Sequence, residues 1–140
     1  MYKCLKKQGR AASDYYSGKQ EYFYLSPAGY ALIKAIEPLV KEHCRGRVLD
    51  AGAGRGAYRS LLESRADEYI GLDVSASSAT AVVGDAQRLP FADASFDTVF
   101  CSQVLEHVPE PWLALAEFRR VLKEDGTLIL TVPHISWLHN

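Results

Sequence analysis

The sequence is short of several things, and each shortage excludes something. Only three of its 140 residues are cysteine, namely Cys4, Cys44 and Cys101. They are odd in number, widely spaced and form no C-x-x-C pair. That argues against a disulfide framework and for a reducing, cytoplasmic setting. No apolar run approaches the roughly 20 residues that span a bilayer, and the basic start lacks the apolar stretch of a signal peptide; no membrane span is expected. Neither charge is in excess, with 16 basic and 17 acidic residues and a net charge of -1. Nucleic acid, which usually selects a clear basic excess, is not expected as a partner. His43, His134 and His139 have no metal-ligand spacing with one another or with a cysteine, so no metal is expected. There is no internal repeat, and the only biased stretch is the short Ser/Ala run Ser75 to Ala79.

What remains is a composition 48% hydrophobic, enough for a single core in one domain. Residues 1–25 read as a partly flexible lead-in. It is basic (Lys3, Lys6, Lys7, Arg10 and Lys19 against Asp14) and carries Tyr15, Tyr16, Tyr22, Phe23 and Tyr24. Ser26 followed by Pro27 reads as a helix start. Leu32, Ile36, Leu39, Val40 and His43 then fall on one face at helical spacing. Pro38 predicts a kink or a restart.

From there strands and helices alternate. Arg47 to Asp50 reads as a first strand, Ala57 to Ser64 as a helix, Tyr69 to Asp73 as a second strand and Thr80 to Val83 as a third. Thr98 to Cys101 is a fourth, and Pro111 opens a helix whose apolar face is Leu115, Phe118, Val121 and Leu122. Asp125-Gly126 is a turn, and Thr127 to Val132 a fifth strand. Near-continuous apolar strands alternating with helices imply an open, doubly wound α/β fold, mainly parallel, with helices on both faces. In such sheets ligands bind beyond the carboxyl ends of the strands. Asp50, Asp73, Asp85 and Gln103 end or follow strands. One link is strained: six residues, Val74 to Ala79, join the second and third strands, where a parallel crossover normally needs a dozen.

Gly52-Ala53-Gly54-Arg55-Gly56-Ala57 matches G-x-G-x-x-G/A, a weak pattern alone. Glycines at a strand-to-helix turn let a ligand approach the backbone, and the following helix start offers N–H groups. A dinucleotide pyrophosphate could use both. Asp50, just before the glycines, would repel a pyrophosphate but suits an ammonium. D-x-G-x-G-x-G is satisfied by Asp50, Gly52, Gly54 and Gly56. S-adenosylmethionine, with an ammonium and a carboxylate at one end, matches that mixture. Asp73 can accept ribose hydroxyls from either cofactor, or act as a loop acid capping Ser75 onward.

The blocks V-L-D-A-G-A-G-R-G, G-L-D, G-D-A-Q-R-L-P-F-A-D-A-S-F-D-T-V-F, Q-V-L-E-H-V and R-V-L-K-E-D-G-T-L-I-L-T-V-P, in that order over Arg47 to Pro133, resemble the class I S-adenosylmethionine-dependent methyltransferases. The likeness is to a branch that includes quinone-biosynthesis and many small-molecule enzymes. It implies a Rossmann-like sheet of strand order 3-2-1-4-5. It also implies that Asp50, Ala51, Gly52, Gly54 and Gly56 hold the methionine end, Asp73 and Val74 the ribose, and Asp85 and Ala86 the adenine. Gln103 falls near the methyl group. His107 is a candidate base or substrate contact; because Glu-His-Val recurs in the family across chemistries, a hydrogen-bonded structural role is expected of it first.

Two departures stand out. Lys123-Glu124-Asp125-Gly126 replaces the usual Lys-Pro-Gly-Gly turn. The usual last two strands are missing, since the chain stops seven residues after Pro133. That leads to the expectation of a C-terminally incomplete domain over 26–140, a poor catalyst by itself. Its bare fifth-strand edge would be open to self-association unless Trp137 and the N-terminal aromatics cover it. The expected function is methyl transfer from S-adenosylmethionine to a small-molecule or cell-envelope-precursor acceptor. The alternatives are a module that binds the cofactor without turnover, or a nicotinamide oxidoreductase.

Overall fold

The structure is a computed structural model and describes residues 27–133. The lead-in 1–25, the Ser26 cap and Trp137 lie outside the described residues. Five parallel strands form one sheet of order β3-β2-β1-β4-β5. They are β1 (Arg47–Ala51), β2 (Glu68–Asp73), β3 (Val82–Val83), β4 (Phe96–Ser102) and β5 (Leu122–Thr131). The helices are α1 (Pro27–His43), α2 (Arg59–Glu63) and α3 (Pro111–Val121), with a 3-10 turn at Leu105–His107. This is the doubly wound α/β architecture that the alternating pattern implies. No helix among the described residues is long and apolar enough to cross a membrane.

The central strands β1 and β4 are buried on both faces, and alternate side chains of the sheet feed two cores. Leu49, Ala51, Leu72, Val99 and Cys101 meet Ala114, Phe118 and Val121 of α3. Val48, Phe100 and Ile129 meet Ile33, Ile36 and Val40 of α1 and Leu62 of α2. At about 25 cal/mol per Å² of buried apolar surface, these two layers are what hold the sheet. The α1 face differs in detail from the expected one. Ile33 is buried, whereas Leu39 is exposed and His43 lies in solvent. The helix runs unbroken through Pro38, which faces solvent, so losing one amide donor there does not end it. On α3, Ala114 takes the inward place expected of Leu115, which is exposed, and Leu122 already belongs to β5.

Beyond shifts of one or two residues at the ends of β1, β2 and β4, three boundaries move. The helix expected over Ala57 to Ser64 contracts to Arg59–Glu63, because the glycine turn extends through Tyr58. β3 is only Val82–Val83, paired with Leu72 and Asp73. The short crossover therefore needs no helix: residues between Ser75 and Ala79 form bends and turns stitched to the glycine loop. Finally, β5 starts early, but its register jumps from Phe96–Leu122 to Thr98–Thr127. The expected turn at Lys123 to Gly126 survives as a bulge inside the strand, and the continuous ladder runs Thr127 to Thr131.

Candidate functional site

The carboxyl ends of β1, β2 and β4 open onto a cavity of about 280 Å³. It is lined by Gly52, Leu72, Asp73, Val74, Gly84, Asp85, Ala86, Ser102, Gln103, Val104, His107 and Val108. Six residues expected to hold the cofactor are thus brought together: Gly52, Asp73, Val74, Asp85, Ala86 and Gln103. Asp50, Ala51, Gly54 and Gly56 are not among the lining residues. Ala51 packs in the α3-side core. Leu72, Gly84, Ser102, Val104 and Val108 are lining residues that the sequence reading did not assign to the cofactor; each sits within two residues of one that it did.

The glycine loop contributes space more than donors. Gly52 has φ +91°, and a Cβ there would lie 2.2 Å from Val104 Cγ2, so only glycine lets the loop and the β4 connection meet at the cavity wall. The loop amides are spent inside the protein. Gly52 and Ala53 donate to the Leu72 carbonyl at 2.8 and 3.0 Å, and Gly56 donates to that of Ala53 at 2.8 Å. Gly54 donates to Asp73 Oδ2 at 2.9 Å. Those four amides are therefore not free to meet a carboxylate.

Asp73 is half-buried, and each of its oxygens takes a backbone amide: Gly54 on Oδ2 and Ser75, at 3.0 Å, on Oδ1. The two readings of this acid, ligand acceptor and loop cap, converge on one side chain. A carboxylate has about four acceptor positions, so two remain for hydroxyls. Around it Ser77 Oγ donates to the Gly54 carbonyl and Arg59 Nη1 to that of Ser78 at 3.1 Å, which closes the β2–β3 connection against the glycine loop.

Asp50 is of another kind. It is 3% exposed, and Tyr69 donates its hydroxyl to Oδ2 at 2.8 Å. Burial pushes its carboxyl from 3.8 up to about 7, against the pull of the Tyr69 hydrogen bond, and the Asp73 charge adds to the rise. Burial likewise pushes the Cys101 thiol up to about 12, with Asp50 and Glu106 adding to it. That thiol is inert packing.

Across the cavity, Gln103 follows β4 at φ +57°, a left-handed conformation uncommon for a residue with a side chain. It is held there by Thr131. The Gln103 amide donates to the Thr131 carbonyl at 3.0 Å, and its Nε2 to Thr131 Oγ1 at 3.2 Å. The Ser102 hydroxyl shares a 2.8 Å bond with the same Oγ1. His107 closes the 3-10 turn, with its amide on the Val104 carbonyl at 2.9 Å, and its ring is exposed at the cavity rim. Beyond Asp85, the segment Leu89 to Asp93 is fastened to α3. The five N–H groups of Arg120 go to both Glu117 oxygens, the carbonyls of Leu89 and Phe91, and Asp93. Glu117 also accepts the Leu89 amide at 2.7 Å.

Apolar walls between two outward carboxylates suit a nucleoside, with hydroxyls at one end and an amine at the other. A buried acid whose nearest polar partner is a neutral phenol suits a cation more than a phosphate. No cluster of metal-ligating side chains occurs among the described residues.

Comparison with known proteins settles the family. A family profile described as "Methyltransferase domain" matches residues 49–130. The chain belongs to that family. It is a class I, S-adenosylmethionine-dependent methyltransferase domain, with the strand order the resemblance implied. Similar proteins include a malonyl-[acyl-carrier protein] O-methyltransferase of Herminiimonas arsenicoxydans, 35% identical over 119 residues, covering 78% of this chain and 44% of that one. A demethylmenaquinone methyltransferase of Renibacterium salmoninarum is 38% identical over 94 residues, 60% of this chain and 40% of its own. Among solved structures, the PH0226 protein of Pyrococcus horikoshii OT3 matches with a TM-score of 0.64 and 32% identity, covering 75% of this chain and 58% of that one. The chain spans less than half the length of the curated relatives named here.

Proposed function

We propose that the cavity takes S-adenosylmethionine, and that the chain is the cofactor-binding part of an enzyme that methylates a small-molecule or cell-envelope-precursor acceptor. The observation that carries this is the pairing of Asp73 and Asp85 on one apolar-walled cavity at the carboxyl ends of parallel strands. Asp73 takes the ribose hydroxyls on the acceptor positions its two amides leave, beside Val74. Asp85 takes the adenine amine, with Ala86 against the ring. Gly52 gives the methionine end room, and Asp50 beneath it is the counter-charge for the ammonium, with Ala51, Gly54 and Gly56 shaping the turn. When bound, the cofactor supplies a sulfonium methyl as the electrophile. The protein's part is orientation and exclusion of water. Gln103 and His107 face the side where an acceptor would enter, and His107 is the candidate base or substrate contact there.

The two named relatives act, by their names, on a carrier-bound malonyl group and on a quinone. They support a small organic acceptor without choosing the atom. Titration calorimetry of the 140-residue chain with S-adenosylhomocysteine, S-adenosylmethionine and NAD tests the site. The expected result is binding of the first two and none of NAD; tighter binding of NAD overturns the reading. A panel of acceptors with labelled S-adenosylmethionine then separates an enzyme from a module that binds without turnover.

A further inference from the structure

Asp85 is not a bare carboxylate. The Gln87 backbone amide donates to its Oδ1 at 2.8 Å. The Gln87 side-chain nitrogen reaches both oxygens, Oδ1 at 3.2 Å and Oδ2 at 3.1 Å. The amide oxygen of Gln87 is used as well. It accepts the Glu110 backbone N–H at 3.0 Å, at the cap of α3. This fixes which way the amide lies, because the flipped form would set oxygen against carboxylate and NH2 against N–H. A free carboxylate turns about a broad, two-fold torsion. Here two acceptor positions on Oδ1 and one on Oδ2 are filled, which leaves the outer position of Oδ2 to take a single donor. A purine with a 6-amino group offers one such N–H on that edge. A 6-oxo purine has an oxygen with lone pairs at that position, and its N–H lies at N1, displaced from where the amine would sit.

We infer that Gln87 is a positioning and specificity residue for the nucleobase. It aims the remaining acceptor position of Asp85 at an exocyclic amine and ties that acceptor to the start of α3. The inference rests on the nucleoside reading of the cavity. Its consequence is discrimination between an amino and an oxo group at one position of the base, set by a side chain that does not itself line the cavity. Asp85 is exposed in the free protein; once a base covers it, an acceptor set opposite another acceptor costs more than losing one bond, so the discrimination is sharp where the carboxylate is held still.

The experiment compares S-adenosylhomocysteine with S-inosylhomocysteine by calorimetry on the 140-residue chain and on two variants. Gln87→Ala removes the side-chain amide contacts and keeps the backbone one. Gln87→Glu keeps an oxygen for the Glu110 N–H but removes the donor to Asp85, so it preserves the link to α3. Wild type is expected to prefer the adenosyl ligand by at least about tenfold. In both variants adenosyl affinity should fall about tenfold while inosyl affinity changes by less than about threefold. The unliganded melting temperature of Gln87→Glu should fall, because it sets a second carboxylate against Asp85; the difference between the two ligands, not the melt, is the readout. Equal losses for both ligands, or wild-type discrimination in Gln87→Glu, overturn the role of Gln87 and leave the nucleoside site standing. Absence of adenosyl binding by wild type overturns both.

Discussion

The acids at the ends of β1 and β2 occupy adjacent strands and differ in almost everything else. Asp73 is half-buried and gives both oxygens to backbone amides of the loops beside it. Asp50 is sealed in, with a phenol as its partner, and its carboxyl is pushed up to about 7. One carboxylate is part of the scaffold that also presents it. The other carries a cost that a cationic ligand would offset. Position at a strand end thus does not set what an acid does; the donors around it do.

The largest effect that would sharpen this contrast is expected from Asp73→Ala. Charge-assisted hydrogen bonds are worth roughly 1.5–3 kcal/mol each, so S-adenosylhomocysteine affinity should drop at least about tenfold. Because the Gly54 and Ser75 amides lose their acceptor, the unliganded protein should also melt several degrees lower. Calorimetry and thermal melts read both. Lost affinity with an unchanged melt would mean that the two amide bonds contribute nothing to the loop.

A middle effect is expected from Asp50→Asn, and its signature is in pH. The folded state holds the Asp50 proton more tightly than the unfolded chain does, since the carboxyl rises from 3.8 to about 7. Its contribution to stability therefore falls as pH climbs from about 4 to about 7 and is flat beyond. Asn removes that slope. Ligand binding should show the opposite trend: wild-type affinity for S-adenosylhomocysteine rises with pH through about 7 as the carboxylate forms to meet the ammonium, and the variant shows no such rise. Melts and titrations at pH 5.5 and 8 decide it. Parallel pH trends in the two proteins would break the comparison.

The smallest effect is expected from His107→Ala. With its ring exposed on the rim, the substitution should change stability by no more than about 0.5 kcal/mol and leave cofactor affinity alone. Any consequence should fall on acceptor turnover. This reverses the order that the recurring Glu-His-Val block suggests, in which stability suffers first. A clear loss of melting temperature would restore the structural role.

The parts of the fold that could be read from residues alone are those where pattern and burial have the same cause. The apolar strands at Arg47 to Asp50 and Thr127 to Val132, and the order of elements, follow from what a two-faced parallel sheet must bury. What could not be read was which neighbour wins locally. Leu39 and Leu115 have the right spacing, but Ile33 and Ala114 fill the cores, because packing selects shape as well as apolarity. The short crossover after Asp73 looked strained because its compensation is side-chain hydrogen bonding to the glycine loop, which spacing does not encode. The same holds in the site. Asp73, Asp85 and Gln103 stand out as polar residues after apolar strands. Gln87 and Thr131, which hold two of them, look like ordinary surface and strand residues. The loop amides, expected to face a ligand, are committed to Leu72, Ala53 and Asp73.

The Arg120 guanidinium has a consequence for how the molecule opens. With its five N–H groups shared among Glu117, Leu89, Phe91 and Asp93, it has no donor left with which to exchange one partner for another. Release of that one side chain would free the Leu89 and Phe91 carbonyls and Asp93 from α3 together. Helix and segment form one cooperative unit, and a fluctuation that frees either frees both. That block stands behind the cavity without lining it, whereas the cavity side built on the glycine loop is fastened by separate bonds.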